Sequence, residues 1–520
     1  MRHYKILWAD DEIDLLKPHI LFLNDKGYDV EPVNSGSDAL EKLENETFDI
    51  IFLDENMPGL TGLETLAEIK SLYPNVPVVM ITKSEEEQIM EEAIGAKIAD
   101  YLIKPLNPNQ ILLSVKKILD NKRLVSQKTN MGYQQEFRNI SMAVTDNLSH
   151  DEWVDVYKKM VYWELEIDET EEKAMAEVFH MQKDEANSEF CDFVIDNYES
   201  WVNDPQVDKP LLSHQVMKKE VFPLLQDGHQ VFFILIDNLR YDQWHLIETA
   251  ISDFYTVDKE VPFYSILPTT TAYARNSIFG GMMPEEMATK HSDIWVHEDE
   301  DAGKNMHEEE FIKRNLQRHH LSKSVSYHKI LQKAQGRQLV SNVNNLFNHD
   351  LVAIVYNFVD VLSHARTDIK MIRELAPDES AYRSLTMSWF QHSTLFALLK
   401  ILSTKNVKVV ITTDHGTIRV KKPQKVIGDK NTNTNLRYKV GKNLSVDDPD
   451  DMYICRKPEL LHLPKVNVSS SYVFATQNDF FAYPNNYNHY VNYYKDTFQH
   501  GGISMEEMIV PLVHLKPKSQ

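Results

Sequence analysis

A chain of 520 residues is too long for one hydrophobic core, and domain sizes favour about three units. Apolar residues at 42% and charged residues at 26% are ordinary for a globular protein and exclude collagen-like, disordered and membrane-embedded classes. The formal charge of −23 opposes loose binding to a polyanion, which depends on Lys and Arg displacing counterions, and so argues against a transcription factor; the carboxylate surplus suits bound cations.

The opening MRHYKILWADDE meets acidic residues after a few apolar ones, without a signal-peptide core, and no apolar run approaches the roughly 20 residues of a bilayer span. Cys191 and Cys455 lie far apart with no CxxC spacing, so neither disulfides nor a thiolate zinc site is expected. A cytoplasmic protein is the expectation.

Residues 1–120 alternate short β-branched runs (KILWADD, DIIFLDENM, VPVVMIT, ADYLIKP) with helical stretches, which predicts a doubly wound parallel sheet of the α/β class. Residues 121–205 lose strand signals and carry apolar residues at helical spacing, as in DEWVDVYKKMVYWELEI, so a helical bundle is expected, closed by the proline-broken VNDPQVDKP. From 206 to 520 the β/α rhythm resumes with VFFILIDNLR, LVAIVYNFVDVLSH and VKVVITTDHG. Each apolar run passes into acidic or histidine residues, at the sheet edge where open α/β sheets bind ligands. Residues 283–345, which include HEDEDAGKNMHEEE, interrupt this rhythm and are expected to form an inserted cap or surface loop, with the acidic run solvated. The basic RVKKPQKVIGDK is expected to be a mobile, solvated hairpin, although it could also attract phosphate.

In the first region Asp10 and Asp11 end the first predicted strand, Asp54 the third, Thr82 the fourth and Lys104 the fifth. A divalent cation, magnesium, held by Asp10, Asp11 and Asp54 would neutralise a phosphoryl donor and let Asp54 attack it, with Thr82 and Lys104 holding the phosphoryl oxygens. With Pro105 after the lysine and Tyr101 at the aromatic switch position, the set resembles the receiver domain of bacterial response regulators, flavodoxin-like in fold. The resemblance implies a sensor histidine kinase as phosphodonor and a phosphorylation-promoted homodimer through the fourth and fifth strands.

The last region carries Asp237, Thr271, Asp360 and His364, Asp414 and His415, and His500, in that order. This order is similar to the alkaline phosphatase superfamily, especially its nucleotide pyrophosphatase/phosphodiesterase and phosphoglycerate mutase branches. The resemblance implies one zinc on Asp360, His364 and His500, and a second on Asp237, Asp414, His415 and the Thr271 oxygen, although manganese would also suit a carboxylate-rich site. Pro268-Thr269-Thr270-Thr271 resembles the diesterase pattern Pro-Thr-x-Thr, which makes Thr271 the nucleophile and leaves Thr269 and Thr270 as turn residues. Where those diesterases place an asparagine, this chain has Ala274; Arg275, followed by Asn276, becomes the candidate substrate contact.

Receiver, helical middle and phosphatase-type region together resemble the PglZ-domain response regulators. That resemblance implies a two-component regulator of type IX secretion with phosphodiesterase activity on nucleotides or oligonucleotides. The rival reading is a phosphatase-like scaffold that binds a sigma factor or secretion-system component, with hydrolysis vestigial.

Overall fold

The computed structural model describes residues 4–73, 76–83, 98–170, 173–297, 300, 303–368, 370–429, 432–447, 449–465, 467 and 469–518. They form two compact units, Met1–Gly132 and Tyr133–Gln520. In the first, strands β1 (Tyr4–Ala9), β2 (Tyr28–Val33), β3 (Ile50–Asp54), β4 (Val78–Thr82) and β5 (Asp100–Ile103) make a parallel sheet in the order β2-β1-β3-β4-β5. The runs IIFLD and VVMIT are buried throughout, because a parallel sheet with helices on both faces hides both sides of its central strands. Alternate residues feed two cores: Leu7, Leu53 and Met80 in one, Ile6, Trp8 and Phe52 in the other. Helix α1 (Lys17–Asp25) follows β1, α2 (Gly36–Asn45) is capped by Ser35, and α3 (Gly62–Leu72) starts at a Thr61–Glu64 capping box.

Helix α4 (Pro108–Val144) lends Ile111 and Val115 to the core of the first unit. Two helices follow, α5 (His150–Asp168), capped by Ser149 and Glu152, and α6 (Lys173–Asn203). The helices expected over 121–205 are present, and Trp153, Phe190, Tyr198 and Trp201 share one continuous core with Phe263, Ile503 and Leu512 of the last region. Polar ties reinforce the packing: Cys191 Sγ donates to Ile503 O at 3.2 Å, and the Tyr198 hydroxyl accepts from Leu267 N at 2.9 Å. Amphipathic periodicity announces helices but does not say what covers their apolar faces.

The main sheet is built from β6 (Val231–Ile236), β7 (Tyr255–Glu260), β8 (Val325–Ile330), β9 (Leu351–Tyr356), β10 (Lys408–Thr412) and the C-terminal strand Leu512–Pro517. Its order is β7, C-terminal strand, β10, β6, β9, β8; β10, β6, β9 and β8 are parallel, and the C-terminal strand runs antiparallel. Helices α7 (Tyr241–Ile251), α8 (Asn276–Gly280), α9 (Glu308–Arg318), α10 (Phe358–Asp368), α11 (Glu379–Gln391) and α12 (Thr394–Leu402) belong to this unit. Two expectations change. Residues 283–345 are not wholly an insertion, since Val325–Ile330 is the edge strand of the main sheet. The basic stretch is not a mobile hairpin, because Lys422–Ile427 pairs with Asp479–Ala482 on one side and Ser445–Val446 on the other.

Candidate active site

At the carboxyl edge of the first unit's sheet, Lys104 Nζ lies 2.8 Å from Asp10 Oδ2 and 2.8 Å from Asp54 Oδ1. Asp10 and Asp54 are buried and Asp11 is exposed, and the three offer oxygens within 4.8 Å of one another. Burial pushes the Asp54 carboxyl above its ordinary range, Lys104 opposes that shift, and Asp10 adds to it. Burial also works against the Lys104 charge, but its bonds to Asp10 and Asp54 prevail and hold the ammonium above its usual value. Thr82 is buried at the end of β4, where its carbonyl accepts from Lys104 N at 2.7 Å, and Tyr101 is half-buried in β5. The arrangement presents a carboxylate between a fixed ammonium and two further carboxylates able to hold a divalent cation.

In the second unit the site grows from strand ends. The fully buried run VFFILI carries the chain to Asp237, and VVIT delivers Thr413, Asp414 and His415. Asp360 and His364 stand one turn apart at the start of α10, not on a strand end, and His500 comes from a loop late in the chain. Two triads result, Asp237 with Asp414 and His415, and Asp360 with His364 and His500, each with its ligand atoms within 4.8 Å of one another. The His415 and His500 rings stack at 4.2 Å and join the triads. Thr271 opens a one-turn π-helix, Thr271–Arg275, that leads into α8. Its Oγ1 lies 3.3 Å from Asp237 Oδ1 and 3.2 Å from His415 Nε2.

Further contacts aim these side chains. His415 Nδ1 lies 3.0 Å from Gly416 O and His500 Nδ1 lies 3.3 Å from Thr269 O, which turns both Nε2 atoms toward the site. Gly416 is obligatory, since a Cβ there would stand 1.9 Å from Glu506 O; Gly501 has φ +123°, and a Cβ there would stand 2.8 Å from the Tyr438 ring. Burial holds the His415 ring well below its ordinary pKa, with His500 adding to the effect. Burial raises Asp414 far above the carboxylate range, and Asp237 reinforces that shift. Burial opposes the Asp360 charge too, but His364 and His500 outweigh it and hold that carboxyl well below its ordinary range.

Arg275 and Asn276 are corrected as substrate contacts, because the protein already engages both side chains. Arg275, 1% exposed, lies 2.7 Å from Asp237 Oδ2 and 2.5 Å from Glu308 Oε1. Asn276 donates to Ala272 O and Lys304 O at 2.9 and 3.0 Å and accepts from Asn305 Nδ2 at 3.1 Å. Glu308 was expected to be solvated within the acidic run, yet it is 1% exposed and serves as the buried counter-ion of Arg275; residues 298–299 and 301–302 of that run lie outside the described residues. Sequence reasoning also missed Asn357, which donates to Asp237 Oδ2 at 2.7 Å, and Thr269, whose Oγ1 accepts from Gly501 N at 3.0 Å and donates to Gly502 O at 2.9 Å. Thr269 therefore does more than shape a turn: it ties the Thr271 loop to the His500 loop. Asn357 had a signal, a polar residue directly after a wholly apolar strand.

Residues 216–515, more than half of the chain, match the family described as the BREX system PglZ alkaline phosphatase-like domain. Residues 123–202 match the PorX response regulator linker domain, and residues 6–116 the response regulator receiver domain. Among curated proteins the chain is similar to the transcriptional regulatory protein CpxR homolog of Haemophilus influenzae, 38% identical over 129 residues, 24% of this chain and 54% of that protein. It is also similar to the transcriptional regulatory protein ZraR of Klebsiella oxytoca, 36% identical over 119 residues, 23% of this chain and 27% of that protein. The chain thus spans about half, or about a quarter, of the length of these relatives. Solved structures similar to it include a CheY-like receiver from Methanospirillum hungatei, with 29% identity, a TM-score of 0.23, and coverage of 23% of this chain and 96% of that one. Another is CheY4 of Vibrio cholerae, with 31% identity, a TM-score of 0.22, and coverage of 22% and 99%. Among the described residues no helix is long and apolar enough to cross a membrane. With a receiver and a PorX-type linker ahead of a domain that contains both triads, the chain is a response regulator of PorX-like architecture and belongs to the PglZ alkaline phosphatase-like family.

Proposed function

We propose that this response regulator is phosphorylated on Asp54 by a sensor histidine kinase and controls a two-zinc phosphodiesterase that acts on nucleotides or oligonucleotides, with regulation of type IX secretion as its output. The observation that carries the catalytic half is the position of Thr271 Oγ1, 3.3 Å from Asp237 Oδ1 and 3.2 Å from His415 Nε2, beside two triads joined at the His415–His500 stack. The donor set fits metal ions: it contains carboxylate oxygens and imidazole nitrogens without thiolates, Asp360 Oδ1 faces His364 and His500 Nε2 at 3.4 and 3.6 Å, and Asp414 Oδ2 is buried without a hydrogen-bond partner. Asp360, His364 and His500 would hold one zinc; Asp237, Asp414 and His415, with the Thr271 oxygen, the other. When bound, the two ions supply Lewis-acid stabilisation of the attacking and leaving oxygens and lower the pKa of the threonine hydroxyl.

Thr271 Oγ loses its proton to water and attacks phosphorus in line. The Oγ–P bond forms as the bond to the leaving oxygen breaks, and the released alkoxide takes a proton from water. A water molecule then cleaves the Thr271 phosphoester and restores the hydroxyl. Arg275 is already shared between Asp237 and Glu308, so it offers no free guanidinium for the second charge of a monoester, which favours diesters. In the receiver, magnesium on Asp10, Asp11 and Asp54 would neutralise the incoming phosphoryl group. Asp54 takes that group from a phosphohistidine, while Lys104 and Thr82 hold its oxygens. Inward rotation of Tyr101 then changes the β4–β5 face and promotes a homodimer.

Hydrolysis of bis-p-nitrophenyl phosphate by zinc-loaded wild type and Thr271→Val, beside p-nitrophenyl phosphate, tests the catalytic reading. Wild type should turn over the diester faster, and Thr271→Val should fall to background. Wild-type rates in Thr271→Val would overturn it.

A further inference from the structure

A slot of about 340 Å³ lies at the carboxyl ends of β8 and β9. These strands are the second and first neighbours of β6, the strand that ends at Asp237. Phe358 and Trp389 are both half-buried and stack with their planes 2° apart and centroids at 4.5 Å. Leu331, 57% exposed, adds an apolar surface, and Gln332 and Lys333 supply amide and ammonium groups, while the Ser393 hydroxyl is taken up in capping α12. No carboxylate lines the slot, although the chain carries a net charge of −23.

The slot adjoins the candidate active site along the chain. Asn357, one residue before Phe358, donates to Asp237 Oδ2 at 2.7 Å, and Asp360 lies two residues after Phe358 in the first turn of α10. Neighbouring strands are about 5 Å apart, so the slot begins about 5 to 10 Å from the strand that carries Asp237. That is within reach of the unit adjoining a phosphodiester held at Thr271.

We propose that the slot takes a nucleobase of the substrate, lying flat against the Trp389–Phe358 pair; this rests on the phosphodiesterase reading and adds to it the residues that select a nucleoside. Aromatic faces suit any base, because every base has a π-face, while the Gln332 amide can bond its edge. The lack of carboxylates and the presence of Lys333 keep the approach open to an anionic backbone. A lipid chain would make no use of the polar rim, and a cationic peptide would meet Lys333 with no acidic partner in the slot.

Two esters with the same leaving group, thymidine 5′-(p-nitrophenyl phosphate) and methyl p-nitrophenyl phosphate, isolate the nucleoside. In the zinc-loaded full chain, Trp389→Leu should lower the ratio of their kcat/KM values by about 10- to 100-fold, chiefly through KM, whereas Trp389→Phe should preserve most of it. Leu331→Asp, at an exposed position, should lower the same ratio without disturbing the core. Adenosine, which has no phosphate, should bind wild type and Trp389→Phe in saturation-transfer NMR and bind Trp389→Leu and Leu331→Asp more weakly. An unchanged ratio in both slot variants, or no adenosine contact in wild type, overturns the slot. Failure of wild type to cleave either ester overturns the phosphodiesterase reading instead, and the adenosine titration still decides whether the slot takes a base.

Discussion

Replacing Arg275 with methionine, Arg275→Met, should destabilise the second unit by about 3 kcal/mol. Removing one partner of a buried ion pair typically costs 3–5 kcal/mol, because the remaining charge is left in a poorly polarisable interior. Asp237 is fully buried and Arg275 and Glu308 are each 1% exposed, so water screens this triad little. The low end of the range applies. Glu308 keeps Lys329 at 3.3 Å, and Asp237 keeps the Asn357 amide at 2.7 Å. Six of the seven tryptophans lie beyond residue 132, so tryptophan fluorescence during urea unfolding, with chelator present, reports mainly on the second unit. Burial already raises the Asp237 carboxyl, and loss of Arg275 raises it further. A carboxyl with a raised folded-state pKa penalises the fold only once it ionises, so the deficit should grow as pH rises through that pKa and shrink on acidification. The double variant Arg275→Met with Glu308→Gln should recover part of the loss, because it leaves one fewer uncompensated charge. A single variant within about 0.5 kcal/mol of wild type, or a fully additive double variant, would refute the assignment of Arg275 as a buried counter-ion.

Acetyl phosphate with magnesium should add one acid-stable, base-labile phosphate to wild type and none to Asp54→Ala, by intact mass. Beryllofluoride should raise the weight-average sedimentation coefficient of wild type at micromolar concentration but not that of Asp54→Ala; identical profiles would exclude a phosphorylation-driven dimer. Elemental analysis after zinc loading should find about two ions per chain and about one in Asp360→Asn; equal content in both would refute the Asp360 site. Burial opposes the Glu164 charge, but Lys183 and Arg383 hold its pKa down at about 2, so its contribution is complete above the ordinary value near 4.5 and is lost as pH falls from there toward 2. Glu164→Gln should flatten that part of the stability profile by up to about 3 kcal/mol; an unchanged slope would show that the bridge is not coupled to folding.

Strand ends were legible in the sequence because fully apolar runs such as VFFILI and LVAIVY belong only to strands covered on both faces, so the polar residue after each run has to emerge at the sheet edge. That logic places Asp54, Asp237 and Asp414 at strand ends by pattern alone, and local order marks Asp360 and His364 as an i, i+4 pair. The same local reasoning failed where partners come from far along the chain. Arg275 presents as a free cation until Glu308, 33 residues later, closes on it from α9, and Glu308 presents as one more solvated acid until the fold removes it from water. The helical middle shows its periodicity locally, but that periodicity does not say what covers its apolar face. Its buried face is completed by the last fifty residues of the chain, where Asn187 donates to Glu506 Oε2 at 2.9 Å and accepts from Met505 N at 2.8 Å. The bases of Phe358 and Trp389 stand on different helices, and neither residue type nor spacing announces that the rings stack. Periodicity and strand ends follow from short-range sterics and burial, which the sequence carries by itself; charge pairing, shared cores and the slot depend on contacts between distant segments, which only the closed fold specifies.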